Sequence, residues 1–379
     1  MKQSEHNRKL RLLFWESTIL CNLSCAHCRR VEDDQAVDTD MTTAQAKQLI
    51  EQLAELGKQQ YFMPILVFSG GEPLCRGDIF ELIGYTKQKG LLCALATNGT
   101  LIDSDIAEKI KNAGVERVSV SLDGTTSEVH NKLRKLEGSF EAAISGIKCL
   151  RESDVPFQIN MTITRYNAHQ LDDIFVLAEN LGAVAVHLFM LVPVGCGEEF
   201  AAEDMLSADE YEQLLERVAK KEHCGRIEIK VTCGPHYERV VRENKLTSSN
   251  GSAGHPHANQ CPGAHPGPKH GLMSKGCLAG SGVLFVGHSG QVFPCGYLPI
   301  DCGNILQIPL SQIWANSAAL AKMRDTQQLK GKCGVCGYRT VCGGCRARAF
   351  AATGDYMEAE PMCRYIPPGL KQQHVKGSL

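Results

Sequence analysis

No stretch of this 379-residue chain approaches the roughly 18 to 20 consecutive apolar residues that a membrane-spanning helix needs. The N-terminal residues MKQSEHNRKL likewise lack the hydrophobic core of a secretory signal. The expectation is a cytoplasmic protein with no membrane partner. A charge imbalance is missing too: 40 Lys and Arg stand against 42 Asp and Glu, a formal net charge of −2, so nothing in the total marks a nucleic-acid partner. No internal repeat is evident either.

What the chain has in excess is cysteine, 18 in all. A reducing cytosol does not maintain a disulfide scaffold, and cysteines at short spacings there suggest metal, so the protein is expected to be oxygen-sensitive. Cys21, Cys25 and Cys28 form Cys-x3-Cys-x2-Cys just after a short apolar run. A cube-shaped [4Fe–4S] cluster normally takes four cysteines, so three closely spaced ones leave one iron open to a substrate or cofactor. The competing reading of this segment is a zinc knuckle with His27 as fourth ligand, although His27 lies between two of the cysteines.

With 43% apolar and 22% charged residues, the chain is long enough for two or three separate cores. Apolar runs at 11–17, 65–69, 91–96, 117–122, 157–163 and 184–191 alternate with amphipathic stretches. That pattern predicts an α/β fold of six βα units on a parallel sheet. Residues 40–57 read as a helix capped by Thr42 or Thr43, with Leu49, Ile50, Leu53 and Leu56 on one face and Gly57 at its end; Gly90, Gly114 and Gly182 end later helices. In such architectures the reactive groups collect on loops at the C-terminal ends of strands, and residues 21–28 lie on the first of these.

Further on, Ser207 to Glu210 read as a capping box opening a helix to about Lys221, followed by an alternating strand near 227–231, together a bridge. From 246 to 270 the Ser, Gly, His and Pro composition predicts a flexible loop or lid with no packed helix or strand. The expected division is a barrel domain over 1–200, the bridge and flexible loop over 201–260, a small cysteine-rich domain over 261–366, and a tail over 367–379.

At the end of the second apolar run stand Gly70, Gly71, Glu72 and Pro73. The two glycines permit close backbone approach, and Glu72 and Pro73 fix the loop. Joined to the cysteine triad, this tetrapeptide resembles the radical SAM superfamily. The resemblance implies a partial (β/α)6 barrel in which the amino and carboxylate groups of S-adenosyl-L-methionine chelate the open iron. Reductive cleavage then releases a 5′-deoxyadenosyl radical that abstracts a substrate hydrogen, the cofactors supplying the chemistry and the protein the orientation.

It also implies cofactor-lining roles for Gly70, Gly71, Glu72 and Pro73, for Asn98 in ATNGT, for Ser121 and Asp123 in SVSLDG, and for Arg134 in HNKLR, near the cofactor carboxylate. Asn98-Gly99 and Asp123-Gly124 are equally favoured turns. Arg134 has a helix-surface reading as well, and Asn160 and Asn167 either line the site or cap following helices.

The C-terminal cysteines form a second pattern. Cys277, then Gly290 with four residues to Cys295, then Cys333-x2-Cys336-x5-Cys342-x2-Cys345, and finally Cys363, resembles the SPASM extension of some radical SAM enzymes. By that resemblance, Cys277, Cys295 and Cys345 bind a first auxiliary iron–sulfur cluster, and Cys333, Cys336, Cys342 and Cys363 a second. The last pair, Cys342 and Cys345, is separated by two residues where the usual pattern has three. The fourth ligand of the first cluster is left between Cys261 and Cys302, with an open iron as the alternative, and zinc ribbons compete for 333–345. Cys75, Cys93, Cys149, Cys196, Cys224, Cys233, Cys261 and Cys302 lie outside both sets and read mostly as small buried hydrophobes. His255, His257, His265 and His270 read as a solvated loop, with binding of a metal or a tetrapyrrole iron as the alternative.

The segments LRLLFWEST, CNLSCAHC, KGCLAG, VFPCGYLP with DCGN, and CGGCRARA look most like the haem b synthases among radical SAM enzymes of the alternative haem pathway. That likeness implies iron-coproporphyrin III as tetrapyrrole substrate, conversion of two propionates to vinyl groups with release of carbon dioxide, and an auxiliary cluster receiving the excess electron. A reducing partner such as flavodoxin or ferredoxin is implied as well. Arg346 and Arg348 are candidates for holding substrate carboxylates. Related tetrapyrrole chemistry, didecarboxysiroheme deacetylation or haem d1 synthesis, is the runner-up. A SPASM ribosomal-peptide maturase is disfavoured, because the 20 residues before Cys21 cannot hold a peptide-recognition domain. A non-enzymatic iron–sulfur electron carrier would need neither 70–73 nor a six-unit scaffold.

Overall fold

The computed structural model describes residues 9–30, 39–222, 227–250 and 276–370. Strands β1 (Leu12–Glu16), β2 (Ile65–Ser69), β3 (Leu92–Thr97), β4 (Arg117–Ser121), β5 (Phe157–Ile163) and β6 (Ala185–Met190) form where the six apolar runs stand. They lie side by side in chain order, all parallel. Alternation is visible in β4, where Val118 and Val120 are buried while Arg117, Ser119 and Ser121 on the other face are half-buried.

The sheet does not stop at six strands. β7 (Glu228–Thr232), expected to belong to a bridge, pairs parallel with β6. β8 (Val283–Val286) pairs parallel with β1, and β9 (Val292–Phe293) returns antiparallel to β8. The β-branched residues of EIKVT and VLFV supply ladders for the otherwise open edges of β6 and β1. The cysteine-rich segment is thereby sewn onto the barrel sheet, whose outermost strands are β7 and β9.

Helix signals were partly literal. Thr42 caps the Thr43–Gln59 helix in a reciprocal box with Gln45, but the helix runs past Gly57. That glycine serves packing: a Cβ there would lie 2.7 Å from Met63 Sδ and 2.9 Å from Pro64 Cδ. Gly114 and Gly182 do terminate their helices in the left-handed conformation. Ser207 and Glu210 exchange the two capping bonds that open Ala208–Glu222. The helix Tyr237–Asn250 occupies the start of the segment expected to be a loop. Cys224, Cys261, His255, His257, His265 and His270 lie outside the described residues.

One core, including Leu10, Trp15, Leu53 and Phe68, joins β1–β4 to Leu284 and Val286 of β8; a second surrounds Ile159, Leu188 and Leu215. Among the described residues no helix is long and apolar enough to cross a membrane.

Glu16 ends β1 with Arg29 Nη2 2.7 Å and His288 Nδ1 3.1 Å from its carboxylate. Burial pushes its carboxyl up, but Arg29 and His288 outweigh it and hold the pKa at about 2, against 4.5 unfolded. A depressed carboxyl contributes stability above its unfolded pKa and loses it as pH falls through the folded value. Glu16→Gln is therefore expected to lower unfolding free energy by about 3 kcal/mol at pH 7. In denaturant titrations the gap to the parent should narrow as pH falls below 4.5 toward 2.

Candidate metal centre

Cys21, Cys25 and Cys28 occupy the loop leaving β1. Against this loop lies the segment after β2: Gly71 N–H donates to Thr18 O (2.8 Å) and Glu72 N–H to Leu20 O (2.7 Å). A Cβ on Gly70 would stand 2.6 Å from Thr18 O, and one on Gly71 2.3 Å from Leu20 O. Backbone of the cysteine loop itself therefore demands both glycines.

Glu72 is fully buried and accepts from Leu74 N–H (3.1 Å), the Thr97 hydroxyl (2.7 Å) and Asn98 N–H (2.7 Å), clamping the loops after β2 and β3 together. Burial pushes its carboxyl up to about 7 against the pull of those donors. The Asn98 amide donates to Asn22 Oδ1 (2.8 Å), and the Asn22 amide to the Thr100 hydroxyl (2.8 Å). Asn22 thus ties the third loop to the cysteine loop. Its only sequence signal was its place between Cys21 and Cys25.

The fourth strand end contributes a buried ion pair. Asp123 is fully buried with Arg134 Nη2 at 2.7 Å, and Arg134 Nη1 donates to Cys25 Sγ (3.6 Å). The helix Ser127–Arg134 docks on the same loop through Ala26 N–H to Leu133 O (2.9 Å). Arg134 is 8% exposed, so its helix-surface reading does not hold.

His27 turns Nε2 toward Asp123 Oδ2 (3.3 Å), and burial first, then Arg134, drives its pKa down to about 4 despite Asp123. The ring is neutral at pH 7. Among the described residues no group of three or more His, Cys, Asp or Glu is placed to hold a single metal ion. Asn167 is fully buried and braces the loop by donating to Asp123 O (2.9 Å) and Thr162 O (2.7 Å). Asn160 accepts from the Gln158 amide (2.9 Å), and Ser121 stands half-buried at the end of β4.

The C-terminal cysteines divide into two places. Cys333, Cys336, Cys342 and Cys363 line one small open-sided recess. Backbone N–H groups point at its sulfurs, Glu360 to Cys333, Tyr338 to Cys336 and Gly344 to Cys342, each at 3.4 Å. Hydrogen bonds to sulfur are a means by which proteins tune iron–sulfur clusters. Cys277, Cys295 and Cys345 surround a separate apolar cluster of Val192, Ala279, Leu298, Met323 and Ala347.

Cys233, read from sequence as a small buried hydrophobe, packs against that same cluster. Its thiol and that of Cys345 share a hydrogen bond that drives the Cys233 pKa up and the Cys345 pKa down. No short spacing links it to the other cysteines. Cys302 is elsewhere, its thiol on Ile300 O (3.5 Å) at the margin of the main barrel core. Cys93 is a fully buried hydrophobe as expected, whereas Cys75, Cys149 and Cys196 are half-buried.

The two arginines proposed for substrate carboxylates are committed inside the protein. Arg348, 1% exposed, pairs with Glu360 (2.9 Å) and donates to Leu191 O, Tyr211 Oη and Cys233 O. Arg346, 4% exposed, donates to Gly344 O, Tyr356 O and Glu358 O. Both staple the fold. Tyr297 packs against the same apolar cluster as Cys277, Cys295 and Cys345, and burial foremost raises its phenol pKa.

A triad on the first barrel loop, glycine-backed and braced by its neighbours, with further cysteine sets seated beside the same barrel, defines a radical SAM enzyme with a SPASM-type extension. The Radical SAM superfamily model matches residues 15–178, and the SPASM model, an iron-sulfur cluster-binding domain, matches 277–345. The chain is 45% identical over 357 residues to the AdoMet-dependent heme synthase of Methanosarcina barkeri, covering 94% of this chain and 97% of that one. A protein of the same name from Nitratidesulfovibrio vulgaris is 41% identical over 360 residues, 94% of this chain and 93% of that one.

The chain belongs to this family of AdoMet-dependent heme synthases, and it is a haem-pathway enzyme using a [4Fe–4S] cluster and S-adenosylmethionine. Streptococcus suis SuiB bound to precursor peptide SuiA shares the fold, with a TM-score of 0.70 at 16% identity over 96% of this chain and 78% of that one.

Proposed function

We propose that this enzyme acts in the cytoplasm to convert two propionates of iron-coproporphyrin III into vinyl groups, giving haem b. The likeness to heme synthases over nearly the whole chain supports the substrate. The observation that carries the chemistry is the segment after β6, where Val192 and Val194 pack in one cluster with Cys277, Cys295 and Cys345 while Gly197 N–H donates to Cys28 O (3.0 Å).

Cys21, Cys25 and Cys28 would hold a cluster that, with S-adenosylmethionine, would supply the radical chemistry for removing a hydrogen atom from the propionate β-carbon. Departure of carbon dioxide from the substrate radical forms the vinyl bond and leaves one electron to be removed. Cys277, Cys295 and Cys345 hold its acceptor; Cys333, Cys336, Cys342 and Cys363 hold a second auxiliary cluster. Glu72, Asn98, Asn22, Asp123 and Arg134 keep the four loops after β1–β4 in register around the cofactor, with Gly70, Gly71, Pro73 and Ser121 lining it. Flavodoxin or ferredoxin provides the priming electron.

Anaerobic incubation of the reduced enzyme with S-adenosylmethionine and iron-coproporphyrin III should show, by mass spectrometry, two successive losses of one formic-acid equivalent. Turnover of didecarboxysiroheme with none of iron-coproporphyrin III would move the assignment to the runner-up. Reconstituted enzyme should carry about twelve irons, or about ten if one auxiliary cluster is of the two-iron type. Much lower iron with zinc retained would overturn the cluster assignment.

A further inference from the structure

We propose that Cys233 is the fourth protein ligand of the auxiliary cluster held by Cys277, Cys295 and Cys345, which closes that cluster and makes it an electron acceptor without a substrate-binding iron. The inference rests on the reading that those three cysteines hold a cluster.

The first support is placement. Cys233 directly follows β7, whereas Cys295 stands two residues beyond β9, and these are the outermost strands of the sheet. Curvature brings them together, so that Cys233, Cys277, Cys295 and Cys345 pack against one apolar cluster. The Cys233 thiol is hydrogen-bonded to that of Cys345. Each thiolate of a cube-shaped cluster holds its own iron, so four such donors surround a volume and need not meet at one point.

Backbone conformation is the second, independent support. Four non-glycine residues among those described have positive φ: Tyr61, Lys135, Asp154 and Cys233. The first three stand at or just after helix C-caps, where a left-handed residue is ordinary. Cys233, at φ 59°, follows a strand and has no such local reason. Its carbonyl accepts from Tyr211 Oη (3.0 Å) and from Arg348, which hold it in that conformation. Strain imposed from outside on a residue that packs against the same apolar cluster as three other cysteines marks a position kept for what the side chain holds.

Cys302, the described alternative, has its thiol on Ile300 O and packs on another core.

Glycine is the informative replacement, since it accepts positive φ without strain and so removes the thiol while leaving the backbone at ease. Anaerobically reconstituted Cys233→Gly should lose about four of its twelve irons, or retain a three-iron signal in electron paramagnetic resonance. Cys302→Ala should keep full iron. Full iron and unaltered reduced-cluster spectra in Cys233→Gly would overturn the assignment.

Circular dichroism and thermal unfolding of the metal-free protein separate iron loss from misfolding. If Cys233→Gly melts below the parent without metal, Cys233→Ser serves as second variant: it should retain a cluster with shifted spectra if the side chain is a ligand, and unshifted spectra would overturn the proposal. Cys277→Ala and Cys295→Ala test the underlying reading. If neither loses iron, that reading fails; if both do and Cys233→Gly does not, only the role of Cys233 falls.

Discussion

Cys21→Ala is expected to abolish S-adenosylmethionine cleavage to below detection while leaving about eight of twelve irons bound. Three cysteines on one loop are the minimum that holds a cube with one iron free, and removing one leaves two anchors and no defined site. Cys21 is exposed, so the alanine creates no cavity and the fold should persist. The cysteines of the SPASM-type pattern lie in two other places, one of them the recess lined by Cys333, Cys336, Cys342 and Cys363. The measurement is 5′-deoxyadenosine release under dithionite, alongside iron and sulfide content. Loss of all iron would show that the sites fill cooperatively.

The second large effect concerns Arg348. Arg348→Met is expected to destabilise the folded chain by about 3–5 kcal/mol, because Glu360 is left charged in the interior. The pair is 1% exposed on both sides. Glu360 also accepts from Cys345 N–H (2.6 Å), and Arg348 reaches Leu191 O (2.9 Å) and Cys233 O, so the pair binds barrel to extension at the auxiliary site. Denaturant unfolding should show the loss, with auxiliary iron falling in parallel. Adding Glu360→Leu should recover much of the stability, since removing both charges ends the uncompensated burial. If the single variant costs under about 1 kcal/mol, water reaches the pair and its stapling role fails.

The contrast between Arg348 and Cys21 also shows where sequence was informative. Spacing alone marked the triad, because its three cysteines sit on one loop, and hydrophobic alternation marked β1–β6, because each strand meets its neighbour through a local crossover. Arg348 read as a candidate for holding substrate carboxylates, but the helix Arg346–Thr353 is set inward and its first residues are buried. Cys233 and Asn22 depend on contacts between distant segments that no local pattern records. Gly57 looked like a helix stop since sequence carries no sign of Met63 and Pro64 closing on it. β7 and β8 are short, and their membership of the sheet depends on which strand edges remain open once six are paired.

The pairing of β1 with β8 also orders events in time. Leu12 aligns with Val283, so the strand that presents the cysteine triad waits for a partner made 271 residues later. At about 5–20 residues per second of synthesis, that delay is roughly 15–50 s. Over that interval one side of β1 is an unpaired hydrogen-bonding edge, a surface open to wrong pairing. The nascent chain thus completes the platform for its first cysteines only when the strand preceding Cys295 emerges, which ties maturation of the radical site to translation of the chain's last third.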